Sequence, residues 1–363
     1  MKRVISMVLV FAMVMMMSLT VVGCAKEETN ETTNSEVAVG ETSATAVTTE
    51  SKTNFPERPI NNIVPFGAGG GTDSWNRALS AAMEAPLGVK ILVNNMTGGG
   101  PGGTGQAYVW EAKHDGYTML GTSETPLLVP VMTGMKQTTD DFVYYIAGGS
   151  PGLLLANKNA GITSMADLMD MAKTKPNEIK VASTAGGLWF ILANLFNSYG
   201  DVPLGNVTYD GSRPAITACV SGETALVVAS AGEVADFIKS GDLIPLTTIQ
   251  TTDYDMTGHG IIPSVITSIP SLEKYLPLNQ WIGFMLPADT DAAIIAKFEE
   301  AFKVAMASQE IQDFATSQYA VIYNLTGEEA SAVAAKAQST MSWILNDMGL
   351  TEYSPEEFNI PRP

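Results

Sequence analysis

Residues 63–77 read Ile-Val-Pro-Phe-Gly-Ala-Gly-Gly-Gly-Thr-Asp-Ser-Trp-Asn-Arg, a pattern suited to holding an anion. An apolar run ends at Pro65-Phe66. A loop of Gly67, Ala68, Gly69, Gly70 and Gly71 follows, and Thr72-Asp73 opens an amphipathic helix. Glycine lets the main chain approach a ligand closely, and the first N–H groups of a helix lack partners within it. The helix dipole adds a positive field at that end. An ordinary strand–helix turn with Asp73 as N-cap explains the aspartate, but not five small residues in a row. Ser183, Thr184, Ala185, Gly186 and Gly187, followed by Leu188, repeat the layout with two hydroxyls added.

Residues for bond-making chemistry are sparse. The chain has 2 His. Neither His114 nor His259 stands in a metal-spaced or triad-like pattern, so no metal and no catalytic residue is expected. Gly98, Gly100 and Gly103 fit G-x-G-x-x-G after a strand ending at Asn94, and Glu124 lies at a distance suited to a ribose contact. One such match in a glycine-rich chain is weak. A dinucleotide-binding enzyme is therefore a remote alternative, and no cofactor is expected.

The N-terminus implies export. Lys2-Arg3 precedes an almost wholly apolar run to Val22, and Gly23-Cys24 follows. This fits a lipoprotein signal over 1–23, cut before Cys24 with lipid added to its sulfur. An uncleaved anchor is the alternative, since the run is nearly long enough to span a bilayer. Residues 25–52 carry Glu, Thr, Ser, Asn, Ala and Val without an aromatic, a composition that cannot build a core. With Cys24 they read as a flexible tether on the outer face of the cell membrane. The net charge of -18 argues against nucleic acid and anionic lipid as partners. It leaves room for a small anion held by local dipoles. Of the 2 Cys, Cys219 remains after lipidation, so no intrachain disulfide is expected and a buried structural thiol is.

From about residue 53 the chain is long enough for two lobes. Strands are predicted at 60–66, 90–94, 117–121, 144–148, 153–157, 180–183, 206–209, 225–229, 243–249 and 280–286. Helices are predicted at 72–85, 104–113, 165–173, 188–199, 213–221, 233–240, 291–308, 309–318 and 327–348, with 126–132 a further helical candidate. This alternation predicts an α/β fold of parallel sheets covered by helices, with ligands beyond the carboxyl ends of the strands.

Six segments, in order, resemble the tripartite tricarboxylate transporter solute receptors, the TctC or Bug family. Residues 59–73 resemble its opening strand and glycine loop, and 94–106 its second strand and Gly-rich turn. Asp115-Gly116-Tyr117-Thr118 is similar to its Asp-Gly-Tyr-Thr signature. Residues 182–196, 209–222 and 281–287 resemble its second-lobe loop and helix, its Tyr-Lys-Gly…Pro-Ala block and its Trp-x-Gly…Pro segment. The resemblance spans nearly all of 55–350. It implies a two-lobe Venus flytrap of the type II periplasmic-binding-protein kind, crossed twice by the chain. The crossings are expected near Asn157 and Thr247, giving lobe one as 53–157 plus 248–363 and lobe two as 158–247. It also implies a monomeric receptor that takes a small carboxylate and delivers it to a carrier of one large and one small membrane subunit, driven by an ion gradient. The receptor of an ATP-driven importer is the alternative that shares this fold.

Given that resemblance, Phe66 and 67–73 form one jaw, with Asp73 orienting the loop or a bridging water, and 183–187 form the facing jaw. Trp189, in Leu188-Trp189-Phe190, replaces the family's usual hydroxyl and His residues and is either core or a pocket wall. Tyr209-Asp210-Gly211-Ser212-Arg213 puts an acid where the family has a base. Arg213 is either half of a surface pair with Asp210 or a bidentate fork for a ligand carboxylate. In the second case Asp210 would accept an amine, and the solute would resemble an amino acid. Ser123, Glu124 and Thr125 end one strand and Ser230 another; both groups are placed for cleft contact, with helix capping as the alternative for the first.

Overall fold

The computed structural model describes residues 54–363, and the expectations for the signal peptide, Cys24 and the tether lie outside them. The described residues cluster as one unit. Its strands are β1 Ile60–Val64, β2 Ile91–Asn95, β3 Thr118–Ser123, β4 Phe142–Gly149, β5 Gly152–Asn157, β6 Lys180–Thr184, β7 Gly205–Tyr209, β8 Leu226–Ser230, β9 Leu243–Thr248, β10 Tyr254–Met256, β11 Gly260–Ile262, β12 Ile282–Pro287 and β13 Val321–Leu325. One sheet has the order β13-β4-β12-β3-β1-β2 and the other β7-β6-β8-β5-β9, with β10-β11 a separate ribbon.

Both sheets are mixed rather than parallel. β1 pairs in parallel with β2 and β3, and β6 with β7 and β8. β12 runs antiparallel to β3 and β4, and β5 antiparallel to β8 and β9. The connectivity explains this. The parallel strands β1, β3, β6 and β8 end at the cleft, whereas β5 and β12 are where the chain enters a sheet from the cleft side. Those two must run the opposite way.

The crossings also differ from the sequence expectation. β5 belongs to the second sheet, so the first crossing lies at Ser150-Pro151, before the strand that ends at Asn157. After β9 the chain stays with the second lobe: Met256 and Ile262 pack with Leu153, Leu155 and Val227, and Ser271 Oγ donates to Tyr199 O at 2.8 Å. It re-enters the first sheet at Ile282, some thirty-five residues beyond Thr247. An apolar run such as 153–157 fits either sheet equally, and only pairing assigns it.

The helices bury conventional apolar stripes. Helix Gly71–Leu87 buries Trp75, Leu79 and Met83 against β12 and the helix Ala292–Ala307. Helix Leu188–Tyr199 is buried along most of its length, as its apolar run requires. Cys219 is buried and free, and burial pushes its thiol up to about 12, which fits an inert structural role. No helix among the described residues is long and apolar enough to cross a membrane.

Candidate functional site

The first wall of the cleft grows out of β1. Its strand ends at Val64, and the glycine loop turns the chain into helix Gly71–Leu87, whose N-cap is Gly70 rather than Asp73. Gly69 adopts φ +79°, a conformation that favours glycine. Asp73 splints the loop from beneath. Its carboxylate accepts the Gly69 N–H at 2.8 Å, Arg77 Nη2 at 2.8 Å and Asn95 Nδ2 at 2.8 Å. Burial works to raise its pKa, but these donors outweigh burial and hold it below the ordinary value. Buried Asn76 fixes the helix start, donating to Thr72 O at 2.9 Å and Gly283 O at 3.1 Å and accepting from Asn62 Nδ2 at 3.0 Å.

β3 ends in Ser123, Glu124 and Thr125, all buried. Glu124 Oε2 accepts the Trp281 N–H at 2.9 Å, and Oε1 lies 3.2 Å from Thr125 Oγ1. Desolvation dominates its electrostatics and, with the nearby Glu233 carboxylate adding to it, pushes its pKa up to about 7 despite these hydrogen bonds.

The second wall comes from the other sheet. β6 ends at Thr184, and Ala185, Gly186 and Gly187 lead into helix Leu188–Tyr199. Gly211-Ser212 opens helix Ser212–Ser221, and Ser230 precedes helix Ala231–Lys239, whose first turn carries Glu233.

Two reciprocal hydrogen bonds join the walls. The Gly71 N–H, at the head of a first-lobe helix, donates at 2.7 Å to Glu233 Oε1 of the second lobe. The Leu188 N–H, at the head of a second-lobe helix, donates at 3.3 Å to Thr125 Oγ1 of the first. Glu233 is held in turn by Ser230 Oγ at 2.6 Å and by Ser212 Oγ. Between the walls lies a cavity of about 30 Å³, room for about two water molecules. The two lobes are closed on each other.

Fourteen residues line the cavity: Phe66, Gly67, Gly70, Gly71, Thr72, Ser123, Glu124, Thr125, Thr184, Trp189, Gly211, Ser212, Glu233 and Gln280. The first ten of these are sequence-predicted site residues. Trp189 is both buried and part of the wall, so its two readings merge. Ala185, Tyr209 and Asp210 line a smaller adjoining cavity with Gly98 and Gly100.

The remaining candidates stand elsewhere. Ala68 and Gly69 sit in the loop outside the lining, and Asp73 lies beneath it. Ser183 is fully buried. Gly186, at φ +65°, faces Pro101 and Met132, and Gly187 abuts Thr125. Ser230 acts through Glu233. Arg213 is exposed, 5.7 Å from the Phe237 ring centroid, and is absent from both linings, so the cavity lacks the expected fork. Its position two residues after Gly211 turns it outward on the helix.

Sequence reasoning missed Gly211, Ser212, Glu233 and Gln280. A signal existed for Glu233: Ser230-Ala231-Gly232-Glu233 has the spacing of a capping box. Here Ser230 makes no side-chain cap and holds the glutamate toward the cleft instead.

A family model described as tripartite tricarboxylate transporter family receptor matches residues 76–350. Protein BugT of Bordetella pertussis is 28% identical over 300 residues, which cover 81% of this chain and 87% of BugT. A protein from the tcbD-tcbE intergenic region of a Pseudomonas species is 28% identical over 267 residues, 71% of this chain and 76% of that protein. Among solved structures, the periplasmic binding protein BugD matches with TM-score 0.74 and 22% identity over 82% of this chain and 99% of its own. MatC of Rhodopseudomonas palustris with bound malate matches with TM-score 0.71 and 22% identity over 80% and 99%. An R. palustris protein solved with adipate matches with TM-score 0.74 and 20% identity over 82% and 99%. At such identities the structures establish the two-lobe α/β fold, and the family match carries the assignment. The chain belongs to the tripartite tricarboxylate transporter receptor family and is a solute-binding receptor, not an enzyme.

Proposed function

We propose that this receptor captures a small carboxylate-bearing solute between its lobes, outside the cytoplasm, and delivers it to an ion-gradient-driven carrier of one large and one small membrane subunit. It works as a monomer, tethered by lipid on Cys24. The observation that carries the reading is the Gly71 N–H, which already holds a carboxylate, that of Glu233, at the head of a helix. A loop built this way is a carboxylate receptor by its own geometry. Neighbouring proteins solved with adipate and with malate support the solute class.

Thermal shift and calorimetry on the purified chain with mono-, di- and tricarboxylates and amino acids test the capture step. A ligand at a hundred times its Kd is expected to add about 2.7 kcal/mol of stability. Shifts by nucleotides alone would overturn the reading. For the tether, Cys24→Ser is expected to release the chain from the membrane fraction. Undiminished membrane retention would remove lipid from the account. Adjacent genes for two membrane subunits without an ATPase would support the carrier, and an adjacent ATPase would favour the importer.

A further inference from the structure

The cavity's charge inventory is one-sided. Among the described lining residues Glu124 and Glu233 are the charged side chains, and no Lys, Arg or His stands with them. The nearby cations are engaged elsewhere: Arg77 binds Asp73 and Asn95, and Arg213 lies out over Phe237. Neither glutamate is neutralised by a salt bridge. Every partner they have is a neutral N–H or hydroxyl.

The same cavity wall also carries donors with nothing to bind. Thr184 lines the cavity at 7% exposure, and its Oγ1 has no partner. Gln280 Oε1 accepts the Ser150 N–H at 3.0 Å, which turns its amide NH2 the other way. Thr72 adds a first-turn N–H that no helix carbonyl can take. A buried hydroxyl is costly to leave unpaired, so Thr184 marks where a ligand atom belongs.

A plain dicarboxylate satisfies only half of this site. One carboxylate suits Thr184, Gln280 and Thr72, while the second meets the Glu233 carboxylate with the acidic Glu124 beside it. Like-charge juxtaposition in a closed cleft is strongly unfavourable. An ammonium group reverses that sign and gives both carboxylates a counter-charge. The geometry points to Glu124 and Glu233 as an ammonium-binding pair, which makes the solute an amino acid or another amino carboxylic acid rather than an amine-free dicarboxylate. Sequence inspection suggested an amine partner at Asp210; the structure moves that role to these two residues. The inference rests on the receptor reading above and narrows it.

Calorimetry with matched probes tests it on the purified full chain: glutamate against glutarate, aspartate against succinate, 4-aminobutyrate against butyrate, and putrescine as a carboxylate-free amine. At least one amino carboxylate is expected to bind tenfold or more tightly than its amine-free partner. Glu233→Gln and Glu124→Gln are each expected to erase that preference by weakening the amino ligand. Dicarboxylates binding as well as, or better than, their amino counterparts would overturn the inference and leave the receptor reading standing. Equal tightening of every ligand by Glu233→Gln would also overturn it, because Glu233 would then be a self-occupant of the loop. Putrescine alone binding would overturn the amino carboxylic acid inference together with the carboxylate reading. Silence across all probes would remove both.

Discussion

Replacing Gly187 by alanine is expected to weaken solute binding by about 100-fold or more, with little change in melting temperature. A Cβ built on Gly187 falls 2.5 Å from Thr125 Cγ2 and 2.6 Å from Thr125 Oγ1. Gly187 is the extended N-cap of helix Leu188–Tyr199, with φ -109°, so alanine meets no backbone objection there. The clash is with the other lobe. Thr125 is buried, its side chain is short, and its Oγ1 accepts the Leu188 N–H that helps hold the walls together. The lobes would separate to relieve the overlap, and the Gly71–Glu233 bond would lengthen with them. Each lobe keeps its own core, so global stability is spared while the closed state becomes rare. A hundredfold loss corresponds to about 2.7 kcal/mol against closure. The check is calorimetry with the tightest carboxylate of the panel, beside a second variant carrying Gly187→Ala and Thr125→Gly together. Recovery of affinity in the pair is expected, because glycine at 125 vacates the contested space. Wild-type affinity in Gly187→Ala alone would show that this contact does not govern closure.

The second large effect is on stability against pH. Desolvation raises Glu124 from its ordinary 4.5 to about 7 in the folded chain. Folding therefore takes up a proton between those values. The group's stabilising contribution is complete below about pH 4.5 and is lost as pH rises through about 7. A shift of that size corresponds to about 3 kcal/mol. Urea unfolding at pH 5 and at pH 8 is expected to show wild type losing about 2.5 kcal/mol more stability than Glu124→Gln over the interval, the rest of the effect lying below pH 5. Glutamine keeps an oxygen for the Trp281 N–H and an NH2 for Thr125 Oγ1, as the protonated acid does. The difference between the two proteins is the useful quantity. Asp73, Glu84 and Asp347 have lowered pKa values and contribute the opposite slope at lower pH in both chains. Parallel profiles for the two proteins would mean that Glu124 is already ionised at pH 5 and that its burial carries no such cost.

The two effects share a cause. Closing the cleft brings Glu124 and Glu233 near each other and shuts water out, which strengthens each charge felt there. Asp73 shows the contrast. It is also shielded from water, but it lies nearer the surface than Glu124 and Arg77 and Asn95 sit on it, so it stays ionised and serves the loop's shape. Burial alone does not set the state of a carboxylate; the partners inside the burial do.

The sequence by itself determined the local architecture of the first wall. Strand, glycine loop and helix over residues 60–87 follow from apolar spacing and from the backbone freedom of Gly69, and both are properties of neighbours along the chain. The second wall's loop at 184–187 was legible for the same reason. What only the tertiary structure decided is which charges meet there. Glu233 reaches Gly71 across 162 residues, and no local pattern records that distance. Asp210 and Arg213 stood out in the sequence because they depart from a family pattern, yet the fold turns Arg213 to solvent and leaves Asp210 in a side cavity. The direction of β5 and β12 was hidden likewise, since a buried apolar strand reads the same in either direction. Short-range sterics write the loop that can hold a carboxylate. Long-range packing decides that Glu233 occupies it and leaves the cavity acidic.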